Sequence, residues 1–127
     1  MFYINYWVFQ YTTTVYKTVI EDFKSRKIIQ WEVNKHKDKI KIGDLAIIYI
    51  GGKNAKAIYG IARITSDLYL IQEKNKHYVK IEIVEDWSDS PISLSTAKKE
   101  IPTLKIGICG TNFSSNEDEY HKLFYTL

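Results

Sequence analysis

Apolar residues recur with two periods along this 127-residue chain, and the switches between them mark its elements. The stretch FYINYWVFQY, residues 2–11, is dense in aromatic and β-branched side chains and predicts a strand buried on both faces. In TTTVYKTVIEDFKSRK, residues 12–27, Val15, Val19 and Phe23 repeat every fourth position with Tyr16 and Ile20 beside them. That spacing predicts an amphipathic helix capped by Thr13 or Thr14. A short strand, IIQW (28–31), precedes a polar connection. LAIIYI (45–50) and AIYGIARI (57–64) then predict two strands joined by GGKNAK, whose Gly51, Gly52 and Asn54 supply turn chemistry. In HYVKIEIVEDW (77–87), Val79, Ile81 and Ile83 alternate with Lys80 and Glu82, predicting a strand toward a sheet edge or with one solvated face.

The later pattern is weaker. A short helix is expected near STAKKE, with Pro102 as a stop. Ser114 followed by Glu117 reads as a capping box ahead of a last helix with Tyr120, Leu123, Phe124 and Leu127 on its apolar stripe. No repeat, linker or low-complexity segment interrupts the chain. The pattern predicts one α+β domain over residues 1–127, with a mostly antiparallel, barrel-like sheet flanked by two or three helices.

Composition narrows the class. At 45% hydrophobic and 26% charged residues the chain reads as globular, and its apolar runs are too short for a membrane span. The start lacks a secretory pattern, and a single cysteine, Cys109, excludes an internal disulfide, so a cytoplasmic location is expected. Net charge is +3 but uneven: residues 1–56 carry +5 and residues 57–127 carry −2. The excess is densest at Lys35, Lys37, Lys39 and Lys41, with Lys53 and Lys56 beyond, a distribution that fits either a polyanion contact or a solvated rim.

Several chemistries are not encoded. Phosphate-binding glycine motifs are absent. His36, His77, His121 and Cys109 lack metal-ligand spacing, so surface histidines, a small buried cysteine, no metal and no cofactor are expected. Asp22-x-Lys24, the one nuclease-like fragment, falls on the predicted helix. Hydrolase signatures are missing too. What remains is Trp31, at the end of an apolar run beside the basic connection; from the residues alone it is either core or a stacking surface. Trp7 reads as core and Trp87 as core or rim, while Tyr49 faces either the barrel interior or a pocket.

The segment IKIGDLAIIYIGG resembles the Gly-Asp entry and strand of PUA-like domains, and IYGIARI resembles the strand that follows it. The order YWVFQ, WEVN, the Gly-Asp strand and GTNFSSNEDEYHKL resembles the landmarks of EVE domains, which are similar in architecture to YTH readers of methylated adenine in RNA. In this scheme Gly43 permits a tight turn, Asp44 bonds the turn backbone, and Gly60 marks a bend or close backbone approach. The resemblance implies a pocket between the end of the first strand and the tryptophan segment, where a nucleobase taken out of its stack is held against aromatic rings. Carried over, Trp31 is one wall; Gln10, Tyr11 and Thr12 give edge hydrogen bonds, and Asn34 helps to shape the floor or contacts the nucleotide. YTH domains place a second tryptophan ahead of the later strand; this chain has Leu68, Tyr69, His77 and Tyr78 there, which makes Tyr69 and Tyr78 candidates for the second wall, with Tyr49 a further candidate. Lys35, Lys37, Lys39, Lys53 and Lys56 are the candidate phosphate contacts.

The implied function is a non-catalytic reader of DNA bearing a modified, methylated base. The resemblance extends to the amino-terminal specificity modules of McrB-type restriction systems, whose partners are a GTP-driven motor and a nuclease. An RNA-binding module and a small-ligand or enzymatic domain are the alternatives. The isolated domain is expected to be a monomer.

Overall fold

A computed structural model describes residues 3–127; Phe2, at the head of the first predicted strand, lies outside the described residues. The elements are β1 (Tyr6–Thr12), α1 (Val19–Lys24), β2 (Gln30–Glu32), β3 (Leu45–Gly51), β4 (Ala57–Ile64), β5 (Tyr69–Ile71), β6 (Lys76–Asp86), β7 (Ile92–Ser93), α2 (Leu94–Glu100), β8 (Asn112–Ser114) and α3 (Glu117–Tyr125). They form an α+β fold whose sheet runs β2-β6-β4-β3-β1-β8, with β5 also on β6 and β7 on β4. β1 and β3 run parallel and every other pairing is antiparallel, so the expected mostly antiparallel sheet is seen as a curled half-barrel with three helices.

Strand alternation divides the interior in two. Trp7 and Phe9 of β1, with Ile48 and Ile50 of β3, point into a cluster closed by Val19 and Phe23 of α1 and Trp31 of β2. Val8, Ile47 and Tyr49 point the other way, against Ala97 of α2, Leu123 of α3 and the segment carrying Leu104 and Ile106. β6 is central rather than an edge, between β4 and the short β2 and β5, while its exposed Lys80 and Glu82 keep the predicted wet face.

Three glycine-linked predictions have clear physical outcomes. Gly43 adopts φ +93, and the buried Asp44 carboxylate accepts from the Asn5 N–H (3.1 Å), the Lys41 N–H (2.9 Å) and the Trp7 indole Nε1 (2.9 Å). The Gly-Asp pair therefore ties the entry of β3 to that of β1. At Gly60 an added Cβ would collide with the Glu85 carbonyl, and the β4–β6 register shifts beside it between Ile61 and Ala62. This is the close approach expected of a curling sheet.

The helices depart from the pattern at their starts. α1 begins at Val19 and not near Thr14, because the Thr12 hydroxyl and carbonyl accept from the Val15 and Tyr16 N–H groups and hold a separate turn. Val15 is consequently exposed at 76% rather than in the core stripe. α3 is capped by Asn116, whose side chain accepts from the Glu119 N–H (2.8 Å), not by Ser114, which ends β8. Phe124 and Leu127 of its predicted stripe are exposed.

Candidate functional site

The parallel pairing of β1 and β3 brings their carboxyl-terminal ends together, Thr12 opposite Gly51 and Gln10 opposite Tyr49. Above them the segment 107–111 folds over the sheet, with Gly107 (φ +72) and Gly110 (φ +128) supplying left-handed backbone. Between the strand ends and this loop lies a cavity of about 540 Å³, a size typical of small-ligand sites. Its wall is aromatic and apolar at Tyr11, Tyr49, Val15, Leu94 and Ile108, and flat backbone at four glycines. Lys56 is the only charged residue among the described lining residues.

Tyr49 defines the floor. The residue is 2% exposed, and its hydroxyl has no hydrogen-bond partner among the described residues; yet no buried side-chain polar atom is left unsatisfied, so this hydroxyl reaches the cavity space. Burial raises its pKa, which keeps it a neutral donor and acceptor. The alternation of β3 and the register shift after Ile48 aim it at the cavity, which resolves the choice the sequence left open.

Gln10, expected to read a base edge, is committed elsewhere. Its amide nitrogen donates to the carbonyls of Ile108 and Gly110 (3.0 Å to the latter), and its amide oxygen accepts from the Gly107 N–H (3.0 Å). It therefore holds the loop that closes the cavity and has no amide hydrogen to spare. The Thr12 hydroxyl accepts from the Val15 N–H (3.2 Å) at the rim, and the Tyr11 hydroxyl accepts from the Glu32 N–H (3.4 Å).

Trp31 requires the largest correction. The residue is 0% exposed and packs on Phe9 (centroids 5.8 Å, 16° between planes) and Tyr11 (4.5 Å, 35°), with its Nε1 donating to the Thr111 carbonyl (3.2 Å). No face is open for a ligand. β2 pairs with β6 and turns the indole inward, so it is a buttress behind Tyr11 and loop 107–111. Asn34 stands behind the same loop, donating from its amide to the Thr111 hydroxyl (3.0 Å). The buried Asn112 accepts from the N–H groups of Asn34 (2.9 Å) and Lys35 (3.1 Å) and donates to the Lys35 carbonyl (2.7 Å).

The remaining candidates are dispersed. Tyr69 and Tyr78 face each other across β5 and β6 (6.3 Å, 27°), away from this cavity, with the Tyr69 hydroxyl on Gln30 (2.5 Å). Lys56 lines the cavity and Lys53 projects from the adjoining turn. Lys35 lies over the Phe113 ring (5.2 Å), and the Lys39 carbonyl accepts from Asn5 at the opposite end of β1, about 20 Å away at the usual rise of a strand. Lys37 sits in that same distal loop. The sequence cluster is thus split between two ends of the sheet.

Sequence reasoning missed loop 107–111 altogether and read Cys109 as buried, whereas its thiol residue is exposed on the cavity wall. Two glycines bracketing an apolar pair, outside any periodic segment, were the available signal. Trp7 is core as expected, and Trp87 is half-buried on the edge of Phe124 (5.6 Å, 84°). Among the described residues no cluster of three or more His, Cys, Asp or Glu is arranged to hold a metal, and no helix is long and apolar enough to cross a membrane.

A mixed sheet curled into a half-barrel with three helices is the layout of a PUA-like domain. Within that class the chain matches the family of EVE domains over residues 5–106, and it belongs to that family. Solved structures share the fold across almost the whole chain. A hypothetical protein from Leishmania major superposes with a TM-score of 0.76 at 18% identity, covering 97% of this chain and 94% of that one. The human THYN1 protein in complex with 5-methylcytosine-containing DNA gives 0.66 at 15% identity, covering 94% and 96%. ASCH from Zymomonas mobilis gives 0.63 at 13% identity, covering 95% and 94%. No curated protein matches the chain.

Proposed function

We propose that the chain is a non-catalytic nucleic-acid module that takes a modified nucleobase, a methylated one, out of DNA and into the Tyr49 cavity. The observation that carries this reading is the Tyr49 hydroxyl, free of protein partners among the described residues and open to the cavity at the bottom of an aromatic slot, on a residue otherwise buried. A flat ligand with polar edges satisfies that hydroxyl while its faces meet rings and glycine backbone, and Val15, Leu94 and Ile108 offer apolar contact to a methyl group. Lys56 and Lys53 stand where the backbone of such a ligand would leave the cavity. The THYN1 relative in fold, bound to 5-methylcytosine DNA, supports the same ligand class.

The chemistry of the wall supports binding rather than turnover, with Lys56 and Cys109 its only side chains of acid–base or nucleophilic character besides the tyrosine and threonine hydroxyls among the described lining residues. Its described residues include no carboxylate and no histidine, so the usual partners for proton transfer at neutral pH are missing from it. As a specificity module of a McrB-type restriction system, the domain would choose the target while a motor and a nuclease elsewhere cut it. Fluorescence anisotropy with matched oligonucleotides, methylated and unmodified, tests the reading. Tighter, salt-dependent binding of the methylated strand is expected; equal and salt-insensitive binding of both, or no binding, would refute it, and tighter binding of RNA of the same sequence would move the ligand class to RNA.

A further inference from the structure

A second cavity, of about 330 Å³, opens on the other side of β1's end, between the segments flanking α1 and the β5–β6 hairpin. Tyr11, Tyr16 and Tyr78 give it three rings, Lys27 and Lys74 its charge, and Gln30 a polar edge. We propose that it receives the nucleotide next to the one in the Tyr49 cavity, so that the protein grips two successive nucleotides of a single strand. This rests on the function proposed above and specifies the state of the ligand.

The floor repeats the feature seen in the first cavity. Tyr78 is 6% exposed, its hydroxyl has no partner among the described residues, and it is not among enclosed unsatisfied atoms, so it too reaches the cavity. Lys74 Nζ lies 5.7 Å from the centre of its ring. The Tyr16 ring is fixed by its hydroxyl, which donates to Asp22 (2.5 Å). Charge at the rim is uncommitted: neither Lys27 nor Lys74 belongs to an ion pair among the described residues. The nearby carboxylates are engaged, Asp22 by Tyr16 and Thr18 and Glu32 by Lys76 (3.5 Å). Three rings and two ammonium groups outside any ion pair among the described residues suit a stacked base with its phosphate.

Adjacency follows from the chain itself. Tyr11 is in the wall of both cavities, and the consecutive residues Val15 and Tyr16 line the first and the second respectively. A strand crossing this ridge separates its two bases by about one ring, roughly twice the ~3.4 Å rise per nucleotide, a spacing that an extended single strand adopts freely and a duplex reaches only at the cost of unstacking that step. Trp31, buried beneath Tyr11, keeps the ridge from collapsing.

The test compares wild type, the K27A/K74A double variant, Y49F, and a K98A/K99A control on exposed positions of α2, using a short single-stranded DNA carrying one 5-methylcytosine, and its duplex. Wild type is expected to prefer the single strand. K27A/K74A should bind it about tenfold more weakly, with a salt slope smaller by up to ~1.4, as expected for two lost contacts at ~0.7 each. Its preference for the methylated base and its melting temperature should be retained. The inference is overturned alone if wild type binds and Y49F weakens binding, but K27A/K74A matches wild type or loses no more than K98A/K99A, or if the duplex binds more tightly than the strand. It falls together with the proposed function if wild type binds neither oligonucleotide, or if Y49F and K27A/K74A both leave binding unchanged.

Discussion

Tyr49 and Trp31 resolve in opposite ways the choice between core and pocket that the sequence leaves open for each. Tyr49 sits mid-strand among aliphatic neighbours, yet its hydroxyl is offered to the cavity; Trp31 sits beside a basic loop and is sealed. Tyr49→Phe removes only that hydroxyl. It should weaken binding of a methylated oligonucleotide by about 1 kcal/mol, roughly fivefold, the net worth of one hydrogen bond, and leave thermal stability within error. Calorimetric titration alongside a melting curve separates the two effects. Trp31→Ala should instead cost ~3–5 kcal/mol of stability, read as a lower urea midpoint, since it empties a fully buried ring site between Phe9 and Tyr11. Were Trp31 an exposed stacking surface, that substitution would leave the midpoint nearly unchanged.

The strands were legible because burial and alternation are local properties: AIYGIARI is β4 to the residue, and LAIIYI is β3 short of Gly51. What escaped were short elements fixed by their partners, β5 by the adjoining β6, β7 by β4 and β8 by β1. β8 exists because Phe9, Val8 and Trp7 pair with Asn112, Phe113 and Ser114, and nothing within TNFSS announces that pairing. Loop 107–111 is likewise held from afar, by Gln10, 97 to 100 residues away along the chain. Gln10→Glu tests the dependence. The substitution keeps the shape but turns an acceptor toward the Ile108 and Gly110 carbonyls, so a loss of ~1–3 kcal/mol is expected at neutral pH. Hydrogen exchange should accelerate at 107–111 before it does in β3 or β4. Acidification should restore part of the loss, because a protonated carboxyl can donate to one of the two carbonyls. The candidate site was therefore half readable. Gln10, Tyr11, Thr12, Tyr49 and Lys56 do meet at one cavity, but the sequence could not say that Gln10 is consumed by the loop, nor that Lys37 and Lys39 point from the far end of the sheet.

At the scale of the molecule, ten tyrosines in 127 residues give the fold an alkaline limit. Burial, reinforced by the hydrogen bond to Asp22, pushes Tyr16 up to about 12, and burial also raises Tyr11, Tyr49, Tyr59, Tyr69 and Tyr120. From the ordinary value of 10.0 upward the unfolded chain releases these protons while the folded chain keeps them, so stability is intact below pH 10 and falls as pH rises toward 12. The partner titrates oppositely. Hydrogen bonds from Tyr16 and Thr18 hold Asp22 below its ordinary 3.8, so its contribution is present above that value and is lost as pH falls through the folded one. Urea midpoints across the pH range should therefore form a plateau with both shoulders. Tyr16→Phe should flatten each shoulder, and a variant whose shoulders match wild type would show that this pair does not set them.

The cavity's two halves lie 97 residues apart in sequence, Gln10 reaching over to Gly107, while the family match stops at residue 106. On a ribosome, the strand that will form the floor is finished long before the lid that it fastens has been synthesised. Until residues 107–114 have emerged and docked the slot has no roof, and competence to hold a ligand arrives with that single step.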